Sequence, residues 1–285
     1  MEIQSIAVIG AGTMGNGIAQ VIAAGGIPVI MADINEAALQ RGLDAINNSL
    51  QRLVSKQKLE SGDKDALLTR IRSTTRMDDI AACDVVIEAA TENLDLKLKI
   101  FADLDRIAKP TAILASNTSS ISLTKIAGTT KRPAQVIGMH FFNPVPVMPL
   151  VELIRALQTS DATYQAIKTL TEKLGKSPVE VRNSPAFVGN RILLPMLNEA
   201  VYCLHEGLAT AEDIDSVMKL GMGHPMGPLA LADLIGLDTC LAILQVLYEG
   251  FKDPKYRPCL LWQEKVDAGE LGRKSGSGFL TYGTK

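Results

Sequence analysis

Apolar residues in the first two thirds of the chain follow two alternating patterns. Short runs at Ile6–Ile9, Pro28–Ala32, Asp84–Glu88, Ala112–Ala115, Val136–Met139 and Val151–Ile154 have the length and composition of buried strands. Between them lie longer segments in which apolar residues recur every three or four positions. Gly15–Ala24 predicts a helix. From about Glu36, residues Leu39, Leu43, Ile46, Leu50 and Leu53 share one face of a long helix, and Leu94, Leu98, Phe101 and Leu104 do so over Leu94–Ile107. This alternation implies a mostly parallel sheet covered by helices on both faces.

The pattern changes near residue 184. After a short strand at Val179–Arg182 no further strand is predicted, and 186–206, 211–219, 228–248 and 258–268 read as helices separated by turns rich in Gly and Pro. The expected fold is an α/β Rossmann-type doubly wound sheet over residues 1–184, followed by a smaller all-helical C-terminal domain over 185–285.

Composition narrows the function. The chain has 285 residues and a formal net charge of −2, so it lacks the basic excess expected of a partner for nucleic acid or for an anionic membrane. Its 4 cysteines are far apart and form no CxxC pair, which argues against a metal site or a disulfide framework and fits a reducing, cytoplasmic setting. MEIQSIAVIG has no basic segment of a secretory leader, and the apolar stretch Ile18–Ala32 is broken by Gly25, Gly26 and Pro28, so no membrane span is expected.

The turn after the first strand carries the first candidate site. Gly10, Gly12 and Gly15, with Thr13 and Met14 between the last two, fit GxGxxG between a strand and a helix. Gly10 permits the tight turn, Gly12 lets the backbone approach a pyrophosphate, and Gly15 allows close helix packing. The helix start offers unpaired N–H groups to phosphate. A glycine motif alone is weak evidence, but Asp33 ends the second strand, in VIMAD, where a carboxylate can accept from the ribose hydroxyls of NAD and repel the extra phosphate of NADP. An NAD-binding domain, and hence a dehydrogenase, is the expectation.

Oxidising an alcohol needs a base for the hydroxyl proton, most often histidine. The chain has 3 histidines. His205 lies in a helical segment and His224 in the GMGHPMGP turn, whereas His140 follows the strand Val136–Met139 at the carboxyl edge of the sheet, where ligands of such folds bind. Glu152, in an apolar strand, needs a partner if it is buried. The proline-rich link 143–149 allows it to meet His140; an edge-strand glutamate facing solvent fits the spacing equally well.

Longer motifs add a family resemblance. HFFNPVPVM (140–148), NTSSIS (117–122) and SPAFVGNR (184–191) resemble segments of the L-3-hydroxyacyl-CoA dehydrogenases, above all the short bacterial forms that act on 3-hydroxybutyryl-CoA. The resemblance runs from the glycine loop to GRKSGSGF (272–279). It implies oxidation of (S)-3-hydroxyacyl-CoA to 3-ketoacyl-CoA with NAD, in fatty acid or short-chain acyl-CoA metabolism, by a homodimer joined through its helical domain. It implies His140 as the base, Glu152 as its orienting acid, and Ser119 and Asn190 around the reacting oxygen. Glu92, Lys97, Ser119, Asn143 and Lys274 correspond to cofactor contacts, and Ser49, Lys56, Ser119 and Asn190 to contacts with the acyl-CoA. Each position also has a plainer role open to it: Ser119 or Asn190 as a helix cap, Lys56 and Lys97 as solvated helix residues. Pro149, in place of a lysine, and Leu280, in place of an aromatic residue, depart from the family pattern. The rival functions are a related dehydrogenase of a sugar acid such as L-gulonate, and a non-catalytic NAD-binding protein.

Overall fold

The computed structural model of the protein describes residues 2–283. The chain divides into two units, Met1–Asn183 and Ser184–Lys285. The first unit contains, in order, β1 (Ile6–Ile9), α1 (Thr13–Ala24), β2 (Val29–Ala32), α2 (Glu36–Ser55), α3 (Ser61–Leu68), β3 (Ile71–Thr74), β4 (Val85–Glu88) and α4 (Leu94–Ile107). It continues with β5 (Ile113–Ser116), α5 (Leu123–Ala127), β6 (Val136–Phe141), β7 (Leu150–Arg155), α6 (Asp161–Lys173) and β8 (Ser177–Arg182).

These strands form one eight-stranded sheet in the order β3-β2-β1-β4-β5-β6-β7-β8. All neighbours pair in parallel except β6 and β7, which are antiparallel. The order reverses between β1 and β4, because β2 lies on one side of β1 and β4 on the other. That switch leaves a crevice at the carboxyl ends of the two strands, the usual ligand position in a doubly wound sheet. Ile6, Val8, Val85, Ile87, Ile113 and Ile137 from the strands join Ile18, Ile22, Ile46 and Leu50 from α1 and α2 in one buried cluster. Full burial of each such side chain contributes ~1.5–3 kcal/mol, which fixes the register of strands that have few polar positions to guide it.

Most helix starts have a local cause. Asn35, Asn93, Ser122 and Ser160 each accept a hydrogen bond from the third backbone N–H of the helix that follows. Ser122, not Ser119, therefore caps α5.

The sequence reading and the structure differ at several places in this unit, among them α3 and α6, which the sequence reading does not include, and β8, which begins at Ser177 and not Val179. β3 was not anticipated: its residues IRST are half-buried or exposed at the sheet edge, so no apolar run marks them. The six-residue strands β6 and β7 are longer than their apolar cores suggest, because pairing carries them to Phe141 and Arg155. On α4 the buried face is Lys97, Phe101 and Leu104, while Leu94 is exposed. A lysine takes the expected apolar place because a buried carboxylate lies opposite, as described below.

The second unit is helical: α7 (Gly189–His205), α8 (Ala211–Ser216), α9 (Pro228–Ile235), α10 (Leu237–Phe251) and α11 (Leu260–Asp267). The helix expected from 186 begins only at Gly189, since Ala186 and Phe187 have φ of 57° and 54°. The helix expected over 228–248 is two, bent by 98° at Gly236, whose φ of 105° a side-chain-bearing residue rarely adopts. α8 runs into a turn of π-helix at Val217–Gly221. Leu194, Leu197, Val201, Leu229, Leu244 and Trp262 form the core. Asn198 crosses it, accepting from Trp262 Nε1 at 3.0 Å and from the Cys259 N–H at 2.9 Å. Among the described residues no single helix is long and apolar enough to cross a membrane.

Candidate active site

The carboxyl ends of β1, β4, β5 and β6 lie side by side, and each strand ends in a loop that carries candidate residues. After β1 comes the glycine turn. Gly10 has φ of 101°, and a Cβ there would stand 2.8 Å from the Ala89 carbonyl oxygen. A Cβ on Gly15 would come within 1.9 Å of the Gly10 carbonyl oxygen. Gly12 has nothing within 4 Å of the position its Cβ would take. Two of the glycines are thus required by packing inside the protein, and the third keeps an open backbone for a ligand. Asp33, half-buried at the end of β2, accepts from the Ala11 N–H at 2.9 Å and the Asn35 N–H at 3.1 Å. Its carboxylate is thereby fixed beside the turn.

A cleft of about 320 Å³ opens at this edge. Gly12, Thr13 and Met14 line it together with Ala89–Glu92, Lys97 and Asn117. It coincides with the β1/β4 switch. An open glycine backbone at a helix start, a fixed acid beside it and a cleft at the switch are the features that a dinucleotide requires, so the residues present fit NAD.

Across the cleft the loops after β4 and β5 are joined by side chains. Glu92 accepts from Thr118 Oγ1 at 2.7 Å, from the Ser119 N–H at 2.6 Å and from Ser119 Oγ at 2.9 Å. Asn117 accepts from the Phe141 N–H at 2.9 Å, which ties the β5 loop to the end of β6.

His140 stands one residue from that end. The antiparallel register places it directly opposite Glu152. Directly opposed residues point to the same face, so the two side chains meet: His140 Nδ1 and Glu152 Oε2 are 2.8 Å apart, and both residues are buried. Of the two readings left open by the sequence, the paired one holds. The His140 ring also lies against Phe142, with centroids 4.7 Å apart. The intervening loop is held by Lys176, whose Nζ donates to the Val145 and Met148 carbonyls at 2.7 and 2.8 Å. Burial pushes the Lys176 ammonium below its ordinary pKa. Asn143 is exposed on this loop.

The remaining candidates are spread more widely. Ser49 is half-buried within α2, and Lys56 is exposed at its C-terminal end. In the helical unit, Asn190 lies half-buried in the first turn of α7, and Lys274 donates to Asp238 at 2.6 and 2.7 Å. Burial pushes the Asp238 carboxyl up, but the Lys274 and Thr239 donors outweigh it and hold it below the usual range. His205 is exposed, and His224 is half-buried.

Family models match both units of the chain. The model for the 3-hydroxyacyl-CoA dehydrogenase NAD binding domain matches residues 5–184, and that for the 3-hydroxyacyl-CoA dehydrogenase C-terminal domain matches 187–282. The chain belongs to the 3-hydroxyacyl-CoA dehydrogenase family. As a member it is an oxidoreductase that uses NAD. It is 53% identical over 285 residues to a probable 3-hydroxybutyryl-CoA dehydrogenase of Bacillus subtilis, covering 100% of this chain and 99% of that one. It is 53% identical over 280 residues to the 3-hydroxybutyryl-CoA dehydrogenase of Bradyrhizobium diazoefficiens, covering 98% and 96%. The crystal structure of (S)-3-hydroxybutyryl-CoA dehydrogenase from Ralstonia eutropha superposes with a TM-score of 0.96 at 57% identity, covering 99% of this chain and 100% of that one.

The sequence reading gave no individual role to Asn117, which lines the cleft, or to Glu88, Ser116 and Thr118, whose side chains bond to the loops around it. The available signal was an acid closing the apolar strand VVIE, with a lysine at an apolar-face position of the next helix.

Proposed function

We propose that the protein oxidises (S)-3-hydroxybutyryl-CoA to acetoacetyl-CoA and catalyses the reverse reduction, with His140 as the proton-transfer group. The reading is carried by the buried His140–Glu152 hydrogen bond on the sheet edge that also carries the dinucleotide cleft. The names of the relatives support the substrate class.

Bound NAD supplies the hydride acceptor. Gly12, Thr13 and Met14 would hold its pyrophosphate and Asp33 a ribose. The protein's own part is proton transfer and positioning. Glu152 takes the Nδ1 proton of His140 as a hydrogen bond, which sets the tautomer and favours the imidazolium. The proton of the 3-hydroxyl passes to the other ring nitrogen, Nε2, during oxidation and returns to the 3-oxygen during reduction. Ser119 and Asn190 position that oxygen. Asn143 and Lys274 serve the cofactor directly and Lys97 from its buried position at the cleft, and Ser49 and Lys56 serve the CoA moiety, Lys56 by its exposed charge.

The setting we infer is short-chain acyl-CoA metabolism in the cytoplasm, by a homodimer joined through the helical unit. Leu208, Val217, Leu220 and Met222 of that unit are 60–87% exposed, an apolar surface that a second copy would cover. A rate series over 3-ketoacyl-CoA substrates of rising length, run with NADH and with NADPH, tests the assignment. The four-carbon substrate with NADH is expected to be the best. Turnover of L-gulonate without turnover of acetoacetyl-CoA would replace the assignment with the sugar-acid reading.

A further inference from the structure

At the base of the cofactor cleft lies a buried charged cluster. Glu88 closes β4 with 0% exposure, and Lys97 of α4 is 1% exposed. Their side chains form a short ion pair. Ser116 Oγ donates to Glu88 Oε2 at 2.9 Å. The other carboxylate oxygen, Oε1, accepts from the backbone N–H groups of Ala90 at 3.0 Å and Thr91 at 3.4 Å. Ser116 Oγ in turn accepts from the Thr118 N–H at 3.2 Å.

Stability alone does not account for this pair. Burying two charges incurs a desolvation penalty that their attraction often only offsets, and a well-packed apolar pair in their place is commonly as stable. What an apolar pair cannot do is bind backbone amides. Glu88 has acceptors at both ends of its carboxylate and all four donors converge on it. Through them it reaches the loop after β4 directly and the loop after β5 by way of Ser116. Those two loops carry Glu92 and Ser119, which meet across the cleft. The first loop also sets the glycine turn, since its Ala89 and Ala90 backbone stands against Gly10.

We propose that Glu88 is a positioning residue for the cofactor cleft: held by Lys97 and Ser116, its carboxylate presets the 89–92 and 117–119 loops before the dinucleotide arrives. Lys97 then acts through Glu88, and its charge is committed beneath the cleft rather than offered as a mobile phosphate contact. The inference rests on the family's NAD cleft lying at this edge.

The test measures NADH binding by fluorescence titration and backbone hydrogen exchange in the absence of ligand, for the wild type and for Glu88→Gln, Lys97→Met and Ser116→Ala. A glutamine amide can satisfy the loop amides or the lysine and serine, but not both sets. Glu88→Gln is expected to weaken NADH binding at least ~10-fold and to speed exchange at Ala90 and Thr91, as loss of a buried charge-assisted contact implies. Lys97→Met is expected to do the same. Ser116→Ala removes one hydroxyl and folds most safely; it should weaken binding ~3- to 5-fold and speed exchange at Thr118. A merely structural cluster would lower the unfolding midpoint while leaving NADH affinity and loop exchange at 25 °C as in the wild type, and that result overturns the proposal. If the wild type itself fails to bind NADH, the cleft assignment falls with it.

Discussion

Replacing Glu152 by glutamine removes a charge but keeps shape and one acceptor. In the native protein its carboxylate lies 2.8 Å from His140 Nδ1, with both residues shielded from water. A hydrogen bond to a charged group contributes ~1.5–3 kcal/mol, and each 1.4 kcal/mol is a factor of ten. The neutral amide loses most of that preference for the imidazolium. For acetoacetyl-CoA reduction, which requires a protonated His140, turnover of Glu152→Gln at pH 7 should fall ~10- to 100-fold. Steady-state turnover with NADH reads this quantity, and NADH affinity should change little, since Glu152 is not among the residues that line the cleft. Undiminished turnover in Glu152→Gln would refute the reasoning, because it would show that the charge beside His140 Nδ1 does not assist the reaction.

Three further outcomes follow from other parts of the structure. Asp33→Ser removes the carboxylate that the Ala11 N–H fixes beside the glycine turn, and should lower the preference for NADH over NADPH in kcat/KM by at least ~10-fold; an unchanged ratio would strip Asp33 of that role. Gly15→Ala would force a Cβ to 1.9 Å from the Gly10 oxygen, whereas Gly62→Ala meets nothing within 4 Å. Thermal denaturation should therefore show the first variant destabilised by ~1–3 kcal/mol or more and poor in NADH binding, and the second unchanged or slightly stabilised. Asp84 feels burial pushing its carboxyl up, but hydrogen bonds from Lys109 and from the Gln4 and Ser5 N–H groups prevail and hold it below the usual range. A depressed folded value means that the stabilisation is present above the unfolded pKa of ~3.9 and is lost as pH falls through the folded value. The Tm advantage of the wild type over Asp84→Asn should accordingly be full near pH 6 and shrink below about pH 4.

What could be read from the sequence follows from where burial is periodic. The strands of the sheet centre announce themselves because both faces are covered, so every residue of IAVI or VVIE is apolar or enclosed. The edge strand β3 carries no such signature, and pairing with β2 alone defines it. The glycine loop was legible because its steric demands are local, within one turn. The His140–Glu152 pair was legible from spacing only as one of two equal readings, and otherwise through the family resemblance, since the contact depends on the antiparallel register of β6 and β7, a tertiary fact. Lys97 was open to two readings, a cofactor contact by resemblance or a solvated helix residue, and only the position of Glu88 on a neighbouring strand explains its burial. The break at Gly236 was hidden because glycine tolerates a helix interior as well as a bend.

The central claim is that His140 moves the proton in a 3-hydroxyacyl-CoA oxidoreduction, and one comparison tests it most directly. Acetoacetyl-CoA reduction by NADH is measured for the wild type and for His140→Gln, with NADH affinity determined in parallel. The account predicts brisk turnover by the wild type, a ~10²- to 10⁴-fold lower kcat in the variant, and NADH affinity within a few-fold of the wild type. A variant that keeps near-full turnover, or a wild type inert toward acetoacetyl-CoA, would contradict it.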